Sequence, residues 1–158
     1  MAQMQINIGD HASAMAGYQP IPNQYRETMR WARKKAQWIT KNIPRANTYF
    51  SGLPGGRTLT QVLADDTIWV NYHPTMSAYG ETEFVGGKEI AIANTAFRMG
   101  RWTVLATLIH ELAHTNGAPG GTDNSAERAV LACGMGRNSE QTSGNDDPWT
   151  PYDPDITG

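Results

Sequence analysis

Residues 101–117 read RWTVLATLIHELAHTNG, and this stretch decides the fold. Trp102, Leu105, Ile109 and Leu112 recur at steps of 3, 4 and 3, the spacing of an apolar helix face. Gly117 follows the last periodic residue, where glycine takes the left-handed conformation that ends many helices. The segment predicts a helix over 101–116. Inside it stands His110-Glu111-Leu112-Ala113-His114. Residues four apart share one helical face, so both imidazoles can reach a single ion at about 2.0–2.1 Å. Glu111 leans toward the same side. It can accept a proton from a zinc-activated water as that water attacks a carbonyl, then pass it to a leaving nitrogen. The plainer reading is a solvated helix face that happens to carry two histidines and a glutamate. With four His in the chain, chance would produce this spacing in roughly 0.004 sequences of this composition, which favours the metal reading.

A catalytic zinc needs three protein ligands and one open position. The sixth residue after His114 is Gly120, which has no side chain to offer. Two acids lie just beyond, Asp123 and Glu127. Glu127 is expected as the third ligand, in the middle of a helix from about Asn124 to Cys133. Small residues there, Ala126 and Ala129, suit close packing against the first helix. Asp123 is the alternative third ligand. Each acid also has an ordinary role open to it. Asn124-x-x-Glu127 spells a capping box, and Asp123 can cap a helix start.

Working outward, the stripe Tyr25, Met29, Ala32, Ala36, Ile39 and Ile43 predicts an amphipathic helix that Pro44 stops. Residues 51–57 form a turn-rich connector. Residues 67–72 are β-branched and aromatic, and predict a strand. Residues 81–85 and 88–93 predict a hairpin closed by the two-residue turn Gly86-Gly87. The strand 88–93 is expected at the sheet edge, where an extended peptide could add to it. An oxyanion needs stabilising donors, and Tyr72, His73 and Tyr79 are the candidates. Their ordinary roles are a core-edge tyrosine and loop residues. Residues 1–23 are expected to be weakly ordered, 24–136 to form the folded domain, and 137–158 to form a polar tail carrying Pro148, Pro151 and Pro154. In that tail Trp149, Tyr152 and Ile156 could pin the chain to the body.

Residues 108–134, LIHELAHTNGAPGGTDNSAERAVLACG, resemble the metallopeptidase toxin domains of Rhs-type polymorphic toxins and type VI secretion effectors. Ser125 to Ala129 also looks like the second helix of glutamate zincins. Gly121-Thr122-Asp123 resembles the GT-x-D of the deuterolysin-like aspartate zincins, offset by one residue and without that motif's tyrosine. The resemblance implies zinc at His110, His114 and Glu127, with Glu111 catalytic. It implies a minimal zincin-like α+β fold: a small antiparallel or mixed sheet, the HExxH helix, and a second helix carrying a ligand. It further implies a secreted effector toxin cleaving proteins or peptides in a target cell, with an immunity protein as partner. The alternatives are a housekeeping or regulatory intracellular metallopeptidase, and a non-catalytic module with structural zinc.

Composition bounds these readings. The chain has 158 residues, enough for one core. Thirteen basic against fifteen acidic residues leave a net charge of −2, without the basic footprint of a nucleic-acid binder. No segment approaches the roughly 20 apolar residues of a membrane span, and residues 1–10 read as no classical export signal. One cysteine, Cys133, excludes an internal disulfide framework and is expected to pack in the last helix.

Overall fold

The computed structural model describes residues 2–121 and 123–135. The tail expected at 137–158 lies outside the described residues, as does Thr122.

Helix α1 (Asn23–Asn42) buries Met29, Ala32, Ala36 and Ile39, the stripe read from the sequence. Pro44 does stop it, and in doing so starts α2 (Pro44–Ser51) as its first residue. Proline suits that position because its fixed φ is already helical and no amide is needed there. Thr58 and Gln61 form a reciprocal capping box that opens α3 (Leu59–Leu63). Neither short helix was expected. One or two turns are too brief for a 3.6-residue period to show.

The described strands make one mixed sheet in the order β1 (Gln5–Ile6), β2 (Trp69–His73), β4 (Glu89–Ala93), β3 (Gly80–Thr82). β1 and β4 run parallel to β2, and β3 runs antiparallel to β4. The architecture is therefore α+β, as expected, with a mixed sheet. Three details differ from the sequence reading. The start of the chain is built in, not loose: Ile6 pairs with Val70, the Met4 amide donates to the Leu63 carbonyl at 2.8 Å, and Met4 and Ile21 are fully buried. The hairpin exists, but residues 83–88 connect its strands, and Gly86 sits at φ +86° in a turn closed by Gly87 N–H donating to the Phe84 carbonyl. And β4 is an inner strand. The edge on that side is β3.

Val70, Tyr72, Ile90 and Ile92 share the sheet face turned toward the helices, as pairing Val70 with Ile90 and Tyr72 with Ile92 requires. Gly80 and Thr82 of β3 continue that face, because they pair with Ile92 and Ile90. The opposite face carries Asn71 and Glu89 and is covered by residues 8–19. There the His11 ring stacks on Trp69 at 4.1 Å and bonds Glu89 at 2.9 Å, while Tyr18 donates to Glu81. Burial, followed by the Glu81 bond, pushes the Tyr18 phenol well above its ordinary pKa. The buried Asn71 is satisfied from both sides, accepting from Asn7 at 2.8 Å and donating to Glu89 at 3.1 Å.

Candidate metal centre

Two helices lead into the centre. α4 (Asn94–Met99) ends at Gly100, whose φ of +124° lets the chain turn directly into α5 (Arg101–Thr115). Every residue of α5 from Thr103 to Thr115 is buried. A helix enclosed on all sides should be apolar throughout, yet this one holds His110, Glu111 and His114 at 1, 2 and 7 % exposure. Buried polar groups are costly unless they are partnered, so the partners define the centre.

The end of α5 orients His114. Ala118 N–H donates to the Ala113 carbonyl at 2.9 Å and Gly117 N–H to the His114 carbonyl at 3.0 Å, with Gly117 at φ +95°. This is a Schellman cap. It folds the chain back so that the Ala118 carbonyl meets His114 Nδ1 at 2.7 Å. A carbonyl only accepts, so Nδ1 carries the proton and Nε2 keeps its lone pair.

α6 (Ser125–Ala132) orients His110. Fully buried Glu127 places Oε1 2.9 Å from His110 Nδ1. The contact has ion-pair distance but not the angle of a hydrogen bond, and the negative charge beside Nδ1 favours a proton there and a lone pair on Nε2, as the carboxylate partners of metal-ligating histidines do. The two Nε2 atoms then converge to 3.2 Å. Two nitrogens each about 2.05 Å from one ion at a tetrahedral angle stand about 3.3 Å apart. At this spacing the two nitrogens can share a proton or bind one cation, so the donor set fits a metal ion.

Glu111 completes the group. Its Oε2 is 3.9 Å from His110 Nε2, and its Oε1 accepts from the Thr82 hydroxyl at 2.9 Å. Gly80 is what lets β3 come this close. A Cβ there would lie 2.5 Å from Thr107 Cγ2 and 2.9 Å from the Ala91 carbonyl oxygen. Among the described residues, His110, Glu111 and His114 bring ligand atoms within 4.8 Å of one another and could hold a metal ion. They open onto a cleft of about 440 Å³, also lined by Thr82, Phe84 and Val85.

The expected third ligand, Glu127, takes a different position. It meets His110 from the side of Nδ1. Its Oε1 is 2.9 Å from Nδ1, and among the described residues Glu127 is not one of those whose ligand atoms cluster with the two Nε2 atoms. The acid has reached its place by rejecting the capping box, since Asn124 makes no side-chain cap bond to α6. Asp123 accepts from Ser125 N–H at 2.7 Å, a local turn bond one residue before Asn124, which is the N-cap of α6.

The oxyanion candidates stand elsewhere. Tyr72 donates to Asn94 Oδ1 at 2.8 Å and packs near Tyr25 and Phe97, where burial raises its phenol pKa. His73 Nδ1 accepts from the Met76 amide at 3.0 Å. Tyr79 packs on the core, with its carbonyl accepting from Ala93 N–H. None of the three is among the described residues lining the cleft. Cys133 is buried as expected, and burial pushes its thiol up to about 12. Thr82, Gly80 and the Ala118 carbonyl were not singled out from sequence. Gly117 was the one available signal, as the residue that sets the cap.

Fold and centre together define a small α+β protein whose central helix carries a buried His–Glu–His group able to hold a metal ion. No family model matches the chain, and neither a curated protein nor a solved structure is significantly similar to it.

Proposed function

We propose that this protein is a zinc-dependent peptidase. The observation that carries the reading is the pair of converging Nε2 atoms, 3.2 Å apart, with the Glu111 carboxylate beside them in one open cleft. His110 and His114 would hold the ion through Nε2; among the described residues the only other group whose ligand atom clusters with theirs is Glu111, so the remaining coordination would fall to water and substrate. Zinc, when bound, supplies Lewis-acid activation of water and of a substrate carbonyl. The remaining steps belong to the chain. Thr82 fixes Oε1 of Glu111, leaving Oε2 toward the cleft. There it accepts the proton of the attacking water and returns it to the leaving amine. Glu127 and the Ala118 carbonyl keep both imidazoles in the tautomer whose Nε2 is free of a proton.

Glu111→Gln tests the reading. Glutamine keeps shape and reach but cannot accept the proton. Peptide cleavage should fall about 10²–10⁴-fold while zinc content stays at the wild-type level. Zinc-loaded wild type that cleaves no peptide from a cytosolic and an envelope proteome would overturn it. The resemblance drawn from the motif in residues 108–134, which no family model matches, leads us to propose a role as a delivered toxin. On that reading, expression of wild type arrests growth and expression of Glu111→Gln does not.

A further inference from the structure

The connection between β3 and β4 exposes two large apolar side chains, Phe84 at 64 % and Val85 at 52 %. Scattered exposed apolar residues are ordinary. This pair differs in how it is held and in where it stands. Gly86 N–H donates to the His114 carbonyl at 2.9 Å, which fastens the loop to the end of the metal-centre helix. One Glu83 carboxylate oxygen accepts both Lys88 N–H and Glu89 N–H at 2.9 Å. The loop is built to keep these side chains in position. Both line the cleft that contains His110, Glu111 and His114, and Met76 and Ala78 add apolar lining to it. The cleft also runs past β3, the outermost strand on that side of the sheet, whose backbone can pair with an extended chain.

We infer that Phe84 and Val85 form a subsite for an apolar side chain of a polypeptide substrate, beside the bond that is cleaved, and so set the specificity of the site. This rests on the peptidase reading above. The charges in the cleft argue the same way. Away from the metal position its described lining includes no Lys or Arg to receive an acidic side chain, and Glu81 accepts the Tyr18 hydroxyl at 2.9 Å. An apolar side chain gains by leaving water against the wall, and a charged one does not.

The test uses the full zinc-loaded chain with two readouts. The first is a peptide-library cleavage profile for wild type, Phe84→Ser and Val85→Ser. The second needs no turnover: N-acetyl-leucine amide, and its aspartate and lysine counterparts, are titrated while the amide resonances of Thr82, Phe84 and Val85 are followed. Both side chains are exposed, so neither substitution removes core packing. Wild type should prefer an apolar residue next to the cleaved bond, and Phe84→Ser should lose roughly 10–100-fold in kcat/KM for those peptides with zinc content unchanged. The leucine compound alone should shift the loop resonances. Cleavage without apolar preference, a preference that survives both substitutions, or equal shifts from the lysine or aspartate compound would overturn the inference. Binding of the leucine compound at Phe84 with no peptide cleaved would remove the peptidase reading and support the apolar subsite.

Discussion

Replacing Glu127 with Gln separates an acid that orients a ligand from one that is a ligand. Glu127 is fully buried, with Oε1 2.9 Å from His110 Nδ1. Glutamine fits the same space but removes the negative charge beside Nδ1 that makes His110 the stronger metal donor. Losing such a partner lowers metal affinity about 10–100-fold, equivalent to about 1.4–2.7 kcal/mol. His110→Ala removes Nε2 itself and should abolish stoichiometric binding. The assay is a chelator-competition titration of zinc for wild type, Glu127→Gln and His110→Ala, with thermal melts to establish that each variant is folded. Glu127→Gln should bind one zinc per chain with the reduced affinity. Loss of stoichiometry equal to that of His110→Ala would make Glu127 a direct ligand and refute the geometric argument. Unchanged affinity would refute the orienting role.

Other positions give further expectations. Gly80→Ala sets a methyl group 2.9 Å from the Ala91 carbonyl and 2.5 Å from Thr107. It should cost about 1–3 kcal/mol in denaturant unfolding and lower peptidase activity by drawing Thr82 from Glu111, with His110 and His114 still loaded. Gly117→Ala forces a Cβ onto a φ of +95° and to 2.8 Å from the Gly55 amide, so it should destabilise by more than about 1 kcal/mol. By disturbing the Ala118 carbonyl it should also weaken zinc binding in the same competition titration. Asp65 is pushed up by burial, but hydrogen bonds from Thr67, Arg57 and Lys88 outweigh this and hold its carboxyl well below the ordinary range. A depressed folded-state pKa contributes stability above the unfolded value of about 3.9, lost as pH falls below it. Asp65→Asn should therefore be less stable than wild type at pH 7, and its stability should fall less steeply between about pH 4 and pH 2.

What the sequence determined by itself was local. The i, i+4 histidine pair, its neighbouring glutamate, the apolar stripes of α1 and α5, and the stops at Pro44 and Gly117 all follow from helical geometry within a few residues. α6 was legible too, because small residues and an acid repeat at helical spacing there. The tertiary structure decided what those residues face. Along the chain Glu127 had a metal ligand and a capping box open to it, and the histidine contact was not among those readings. Packing of α6 against α5 brought its carboxylate to 2.9 Å from His110 Nδ1, where a buried charge finds an ionisable neighbour. β1 is two residues long, too short for an alternating pattern to stand out, and it exists because Ile6 finds Val70 from 64 residues away. The edge position of β3 is a property of sheet order, which no pattern within one strand encodes. Thr82 meets Glu111 across 29 residues only because Gly80 leaves room for the strand to approach. Spacing along the chain fixed which groups could act together, and long-range packing fixed which of them do.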